Sequence, residues 1–135
     1  MKHFFLIFLL IPILFFAACT SGPIVVPDDM SPSEIIQRAQ EASDRNRFDD
    51  AKQYYEVLLD RFGSSIDMVC TAEYEIAFLN YKQKNFTEAQ SGFEQLLARY
   101  EGPDAILLPQ HFRILAEKVM EKMIADGSII NEENL

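Results

Sequence analysis

One offset governs this chain. Phe48, Ala51, Tyr55, Leu58, Leu59, Arg61 and Phe62 recur as Phe86, Ala89, Phe93, Leu96, Leu97, Arg99 and Tyr100, each displaced by 38 residues. Ala39 and Ala77 obey the same shift, and Asp50 and Glu56 return as Glu88 and Glu94. A fixed period of this length is the signature of stacked units, each burying its apolar face against the next. Within each copy the apolar residues fall at helical spacing, and no run alternates in the manner of a strand. The expected fold is all-α, with two helical hairpins and the start of a third.

Five helices are predicted, over 32–45, 48–62, 67–84, 87–100 and 109–126. Ser31-Pro32-Ser33-Glu34 has the form of a helix start: a hydroxyl cap, proline in the first turn, and a glutamate that reaches back. Asn46, residues 63–65, Asn85 and Gly102-Pro103 supply the breaks, and Asn85 with Glu88 is expected to form a second capping box. Asp126-Gly127 is the last stop signal, and 127–135 reads as a loose tail. Alanine at 51 and 89 lets two helix backbones approach closely, and the aromatic four residues on covers the same face one turn later.

Ahead of the helices lies a run of fifteen uncharged residues, Phe4 to Ala18, preceded by Lys2 and His3. A helix needs about 20 apolar residues to cross the hydrocarbon, so this run is short. A basic start, an apolar middle and small residues at the end are the anatomy of an export signal. Phe16-Ala17-Ala18-Cys19 resembles the lipobox of bacterial lipoproteins, with Phe16 where leucine is usual. That resemblance implies cleavage before Cys19 and acylation of its thiol; an ordinary signal or an uncleaved anchor is the other reading. Fatty chains anchor at about 0.8 kcal/mol per buried methylene, so two or three make attachment lasting. The domains expected are a signal over 1–18, an acylated cysteine and flexible linker over 19–31, a repeat domain over 32–126 and the tail. In the linker, Ile24-Val25-Val26 either packs on the domain or forms part of a tether.

Removing the signal takes Lys2 with it, which leaves the domain one charge more negative than the whole chain's −9. Such a domain lacks the basic footprint that nucleic acid or anionic lipid demands. Of the two cysteines, only Cys70 remains once Cys19 is acylated. An internal disulfide and a cysteine-based metal site are then both excluded, and Cys70 is expected as a half-buried helix residue.

Tyr81-Lys82-Gln83-Lys84-Asn85-Phe86-Thr87-Glu88-Ala89 closely resembles the middle of a tetratricopeptide repeat, where one helix ends and the next begins with an aromatic and then alanine. The resemblance covers roughly Ser31 to Gly102. The spacing exceeds the usual one, and with Arg-Phe or Arg-Tyr closing the second helix it is similar to the BamD family of outer-membrane assembly lipoproteins. Members of that family also carry a lipobox and a short spacer, and have about twice as many repeats. Arg38 stands where the family has leucine.

The resemblance implies a groove lined by the first helix of each hairpin. Carried over residue by residue, its partner-binding positions are Ile36, Gln40 and Ser43 in the first copy, and Thr71, Tyr74, Phe78, Tyr81 and Lys82 in the second. Tyr74, Phe78 and Tyr81 follow an i, i+4, i+7 pattern, which makes one aromatic stripe, either open to a partner or buried under neighbouring helices. In the last helix Phe112, Leu115, Val119 and Met123 form an apolar stripe that caps the stack, Glu117, Lys118, Glu121 and Lys122 stay wet, and Met120 is a candidate for exposure.

Asp49-Asp50, Glu73 with Glu75, and Glu132-Glu133 are the acidic pairs a catalytic reading would use. They fall at a helix start, on a helix face and in the tail, where solvated acids belong. His111 has no second ligand at helical spacing, and no phosphate loop, serine elbow or cysteine-histidine pair occurs. The expectation is a non-enzyme without catalytic residues, cofactor, metal, nucleic acid or small-molecule substrate. It is a lipid-anchored interaction module of the cell envelope, facing the periplasm from the outer membrane, with envelope proteins or extended peptides as partners. The alternative is an accessory or regulatory lipoprotein of peptidoglycan and cell-wall processes.

Overall fold

The computed structural model describes residues 22–130. The predicted signal, Cys19 and the end of the tail lie outside the described residues. The chain forms α1 (Pro32–Asp44), α2 (Phe48–Phe62), α3 (Ile66–Lys82), α4 (Phe86–Ala98) and α5 (Gln110–Ala125), with short 3-10 turns at Arg99–Glu101 and Ala105–Leu107. No strand occurs among the described residues. Each α-helix packs on the next, and α3 also touches α5.

The 38-residue offset is a rule of burial. Ala39 and Ala77, Ala51 and Ala89, and Leu58 and Leu96 are all fully buried, as are Tyr55 and Phe93 to within 1 %. Two cores result, one under α1 and α2, the other under α3, α4 and α5. Helix α3 serves both: Ala72 and Leu79 enter the first core, while Cys70, Tyr74 and Ala77 enter the second. An interior helix of this kind must be apolar on two sides. At the crossing of α3 and α4, Gly92 faces Ala77 so closely that a Cβ on Gly92 would lie 2.9 Å from the alanine's own.

The turns inside the two hairpins are copies of each other. Asn46 and Lys84 both take left-handed backbone, with φ of 57° and 63°. Arg47 N donates to Ala42 O, and Asn85 N donates to Asn80 O, each at 2.9 Å. This turn ends α3 two residues before the predicted 84, because a left-handed residue cannot continue a right-handed helix. Asn85 does precede α4, but its side chain makes no capping bond, so the box expected with Glu88 does not form. At Ser31 the box is complete: Ser31 N donates to Glu34 Oε2 at 2.9 Å, and Glu34 N donates to Ser31 Oγ at 3.4 Å. The Ser31 hydroxyl also donates to Glu34 Oε2, at 2.6 Å, and this bond together with that from Ser31 N holds the Glu34 carboxyl below its ordinary range.

Residues 24–30, expected as part of a flexible linker, run along α2 instead. Ile24 N donates to Gln53 Oε1 at 3.0 Å, and Arg61 donates to the carbonyls of Val26 and Pro27 at 2.8 and 2.6 Å. Val26 and Met30 pack on the first core, while Val25 just before them is 88 % exposed. Three backbone bonds and two apolar side chains therefore close the outer edge of the first hairpin.

Beyond α4 the chain tightens into the first 3-10 turn and then becomes extended at Gly102, as a residue before proline favours. The turn at Ala105–Leu107 was not legible in the sequence. In α5 the buried stripe is Phe112, Ala116 and Met123, with Val119 and Met120 packed beside it. Two expectations are corrected here: Leu115 is 40 % exposed, because Ala116 takes the close position against the stack, and Met120 is half-buried. Glu117, Lys118, Glu121 and Lys122 are exposed as predicted. Gly127, at φ 74°, ends α5, and Ser128 N donates back to Met123 O at 2.8 Å.

Candidate functional site

The residues assigned to the groove lie on α1 and α3, which follow one another as the first helices of the two hairpins. Lys82 joins them at one end. Its ammonium donates to Ser43 Oγ at 2.9 Å and sits 4.9 Å from the centre of the Phe48 ring. Gln40 is exposed and Ile36 half-buried against the first core. Thr71 Oγ1 donates to the Asp67 carbonyl one turn back, at 2.7 Å, so its hydroxyl is committed within the helix.

The aromatic stripe is continuous. Tyr74 stacks on Phe78, and Phe78 on Tyr81, each at 5.8 Å between ring centres; Tyr81 meets Phe86 at 6.2 Å. Its two ends differ. Tyr74 is 7 % exposed, lies 5.5 Å from Phe112 of α5 and 5.9 Å from Phe93, and belongs to the core. Phe78 and Tyr81 are half-buried, with part of each ring open. Tyr74 thus offers a partner little surface, because α5 covers it, whereas Phe78, Tyr81, Lys82 and Gln40 remain reachable.

In the sequence Glu75, one residue from Tyr74, stands out only as half of an acidic pair. Burial pushes its carboxyl above the ordinary value, with Lys82 working the other way. Its charge in turn adds to the burial that raises the hydroxyls of Tyr55 and Tyr74. Helical spacing puts Glu75 on the same face as Thr71, Phe78 and Lys82, so the open part of the stripe carries an acid beside its rings.

The remaining acidic residues do not converge. Glu73 is held by Arg99 through two bonds of 2.7 Å. Asp49 accepts from Gln83 at 3.0 Å and pairs with Lys52 at 3.2 Å, and those contacts lower its carboxyl. Asp50 pairs with Arg47 at 3.5 Å. The pair Glu132-Glu133 lies outside the described residues. His111 is exposed, its ring 4.0 Å from that of Phe112. Among the described residues no group of three or more His, Cys, Asp or Glu is placed to hold a metal ion.

Cys70 is fully buried rather than half-buried, and burial raises its thiol, with the Tyr100 hydroxyl opposing. A buried, protonated thiol is inert. Two shallow clefts, of about 250 Å³ beside Ile66 and Leu108 and about 140 Å³ between Leu59 and Gln95, are smaller than drug-sized ligand pockets of roughly 300–1,000 Å³. No helix among the described residues is long and apolar enough to cross a membrane.

Five α-helices in consecutive hairpins define the class of this chain as all-helical. Comparison with known proteins finds similarity to an uncharacterized protein of Treponema pallidum (strain Nichols), 34 % identical over 102 residues. The match takes in 74 % of this chain and 41 % of that protein, so the chain spans about two fifths of the relative's length. No family model matches the chain. No solved structure matches it either.

Proposed function

We propose that this chain is a lipid-anchored interaction module of the cell envelope, carrying tetratricopeptide-type hairpins that hold a protein or an extended peptide. The observation that carries the reading is the duplicated hairpin with a half-open aromatic face on its second first-helix. Phe78 and Tyr81 each stack on a neighbour, which fixes their orientation, and each keeps part of its ring exposed. Rings ordered before binding lose little entropy when a partner arrives, which makes them efficient anchors. Lys82 and Glu75 flank them with one charge of each sign, a polar setting that fixes the register of a bound chain. The lipobox-like Phe16-Ala17-Ala18-Cys19 supports the anchor, and the acidic composition supports attachment through acyl chains rather than through surface charge. The BamD-like spacing and the lipobox together favour an outer-membrane location facing the periplasm and a place in outer-membrane protein assembly. The module acts without catalysis, cofactor or metal.

Capture experiments on the native envelope test this. The chain retrieves the same envelope protein from detergent extracts in repeated crosslinked pull-downs, and Phe78→Ser abolishes the retrieval while helicity is kept. Retrieval unchanged by Phe78→Ser, or none under conditions that preserve other envelope complexes, rejects the reading. In the same cells Cys19→Ser releases the protein from the membrane fraction.

A further inference from the structure

The docked segment sets how far the domain can stand from its anchor. Only Thr20, Ser21, Gly22 and Pro23 separate Cys19 from Ile24, whose amide is bonded to Gln53 of α2. A fully extended chain of that length reaches about 17 Å. Arg61 fixes the next residues through the carbonyls of Val26 and Pro27, at 2.8 and 2.6 Å. Val26 and Met30 seat the segment on the first core, and Ser31 then begins α1. Residues 24–30 therefore move with the domain, and four residues separate them from Cys19.

We propose that the outer edge of α2, with segment 24–30 upon it, is the face this domain keeps against a lipid headgroup layer, while α5 stands at the far end. The proposal rests on the lipid-anchor reading above. Helices α3, α4 and α5 follow α2 in packing order. Since α3 touches α2 on one side and α5 on the other, two contacts of 8–10 Å put α5 up to roughly 20 Å beyond α2. Asp28, Asp29 and Asp60 are exposed on or beside the α2 edge. Their charge opposes adsorption to anionic lipid, so the short tether, not surface attraction, holds this face down. Salt screens that repulsion, so raising it does not weaken the orientation.

A pair of fluorescent probes reads the geometry in the full chain. Probes are placed on Asp60→Cys, along the outer side of α2, and on Glu121→Cys of α5, with buried Cys70 left in place. Protein processed in cells is reconstituted into phosphatidylethanolamine and phosphatidylglycerol vesicles that contain a headgroup nitroxide lipid, and the mass of the mature N-terminus is measured on the same sample. The expected result is an acylated Cys19 and quenching several-fold stronger at position 60 than at 121, no weaker in high salt than in low. Arg61→Ala with Gln53→Ala, or a ten-residue Gly-Ser insertion between Gly22 and Pro23, reduces the contrast. Equal or reversed quenching on an acylated chain overturns the orientation and leaves the anchor standing. A mature chain without acyl groups on Cys19 overturns both.

Discussion

Arg61 and Arg99 occupy the same place in the two hairpins and grip different things. Arg99 makes two bonds of 2.7 Å to the carboxylate of Glu73 on α3. In the first hairpin the residue equivalent to Glu73 is Ile35, fully buried, and Arg61 turns outward to the carbonyls of Val26 and Pro27. One arginine closes a hairpin on itself; its counterpart fastens the incoming chain.

The two arginines therefore respond differently to removal. Arg99→Ala leaves Glu73, whose side chain is 11 % exposed, without its partner. Because Arg99 itself is 39 % exposed, solvent moderates the loss, and a cost of about 1–2 kcal/mol in urea unfolding is expected. Arg61→Ala changes global stability less, yet it speeds amide hydrogen exchange across 24–30. Equal exchange in that segment with and without Arg61 would show that the carbonyl bonds do not hold it.

The left-handed turn gives a stabilising substitution. Lys84 has φ of 63° at the place where the first hairpin uses Asn46. Asparagine tolerates that region better than lysine does, so Lys84→Asn raises stability by about 0.5–1 kcal/mol. Asn46→Ala lowers it by a similar amount. Thermal melts of both variants check the pair.

Gly92 is required by space rather than by backbone freedom. Alanine at this position gains roughly 0.5–1 kcal/mol of helix propensity. Against that, its Cβ would meet that of Ala77 at 2.9 Å, and overpacking of a tight crossing costs about 1–3 kcal/mol. Gly92→Ala is thus net destabilising in chemical denaturation. Adding Ala77→Gly relieves the contact, and the double-mutant cycle shows a favourable coupling.

Glu75 contributes a pH dependence of known sign. Its folded carboxyl is raised above the ordinary 4.5 by burial, so the native state binds this proton more tightly than the unfolded chain. Stability from this group is full below pH 4.5 and falls as pH rises through the raised value. Lys82 limits the loss, and the neighbouring hydroxyls of Tyr55 and Tyr74 remain protonated there. Glu75→Gln accordingly stabilises the protein at pH 7, and the gain shrinks toward acid. Melting curves at pH 7 and pH 4 read the difference; a gain of the same size at both would remove burial of the charge as its cause.

The hairpins were legible because their parts are local. Alanine at 39, 51, 77 and 89 marks close crossings, and those four residues are fully buried. What escaped prediction depends on contacts between distant parts of the chain. Segment 24–30 is too short to carry a period of its own, and its docking is decided by Gln53 and Arg61 about 30 residues away. The exposure of Leu115 reflects how α5 sits after the turns at 99–109, a geometry no helical wheel contains. The aromatic stripe was recognised, but α3 is apolar on two sides, so spacing alone did not separate the interior ring of Tyr74 from the open ones of Phe78 and Tyr81. Glu75 was visible only as an acid among acids; its burial follows from packing against its neighbours.

The proposed function rests on a partner held at the open face of α1 and α3. A photo-crosslinking residue introduced at Gln40 in the envelope-borne protein tests it most directly, with one at exposed Glu94 on α4 as reference. The expected result is a discrete adduct with one envelope protein from position 40 and none from 94. Adducts of equal yield from both positions, or none at position 40 beyond the chain itself, would contradict it.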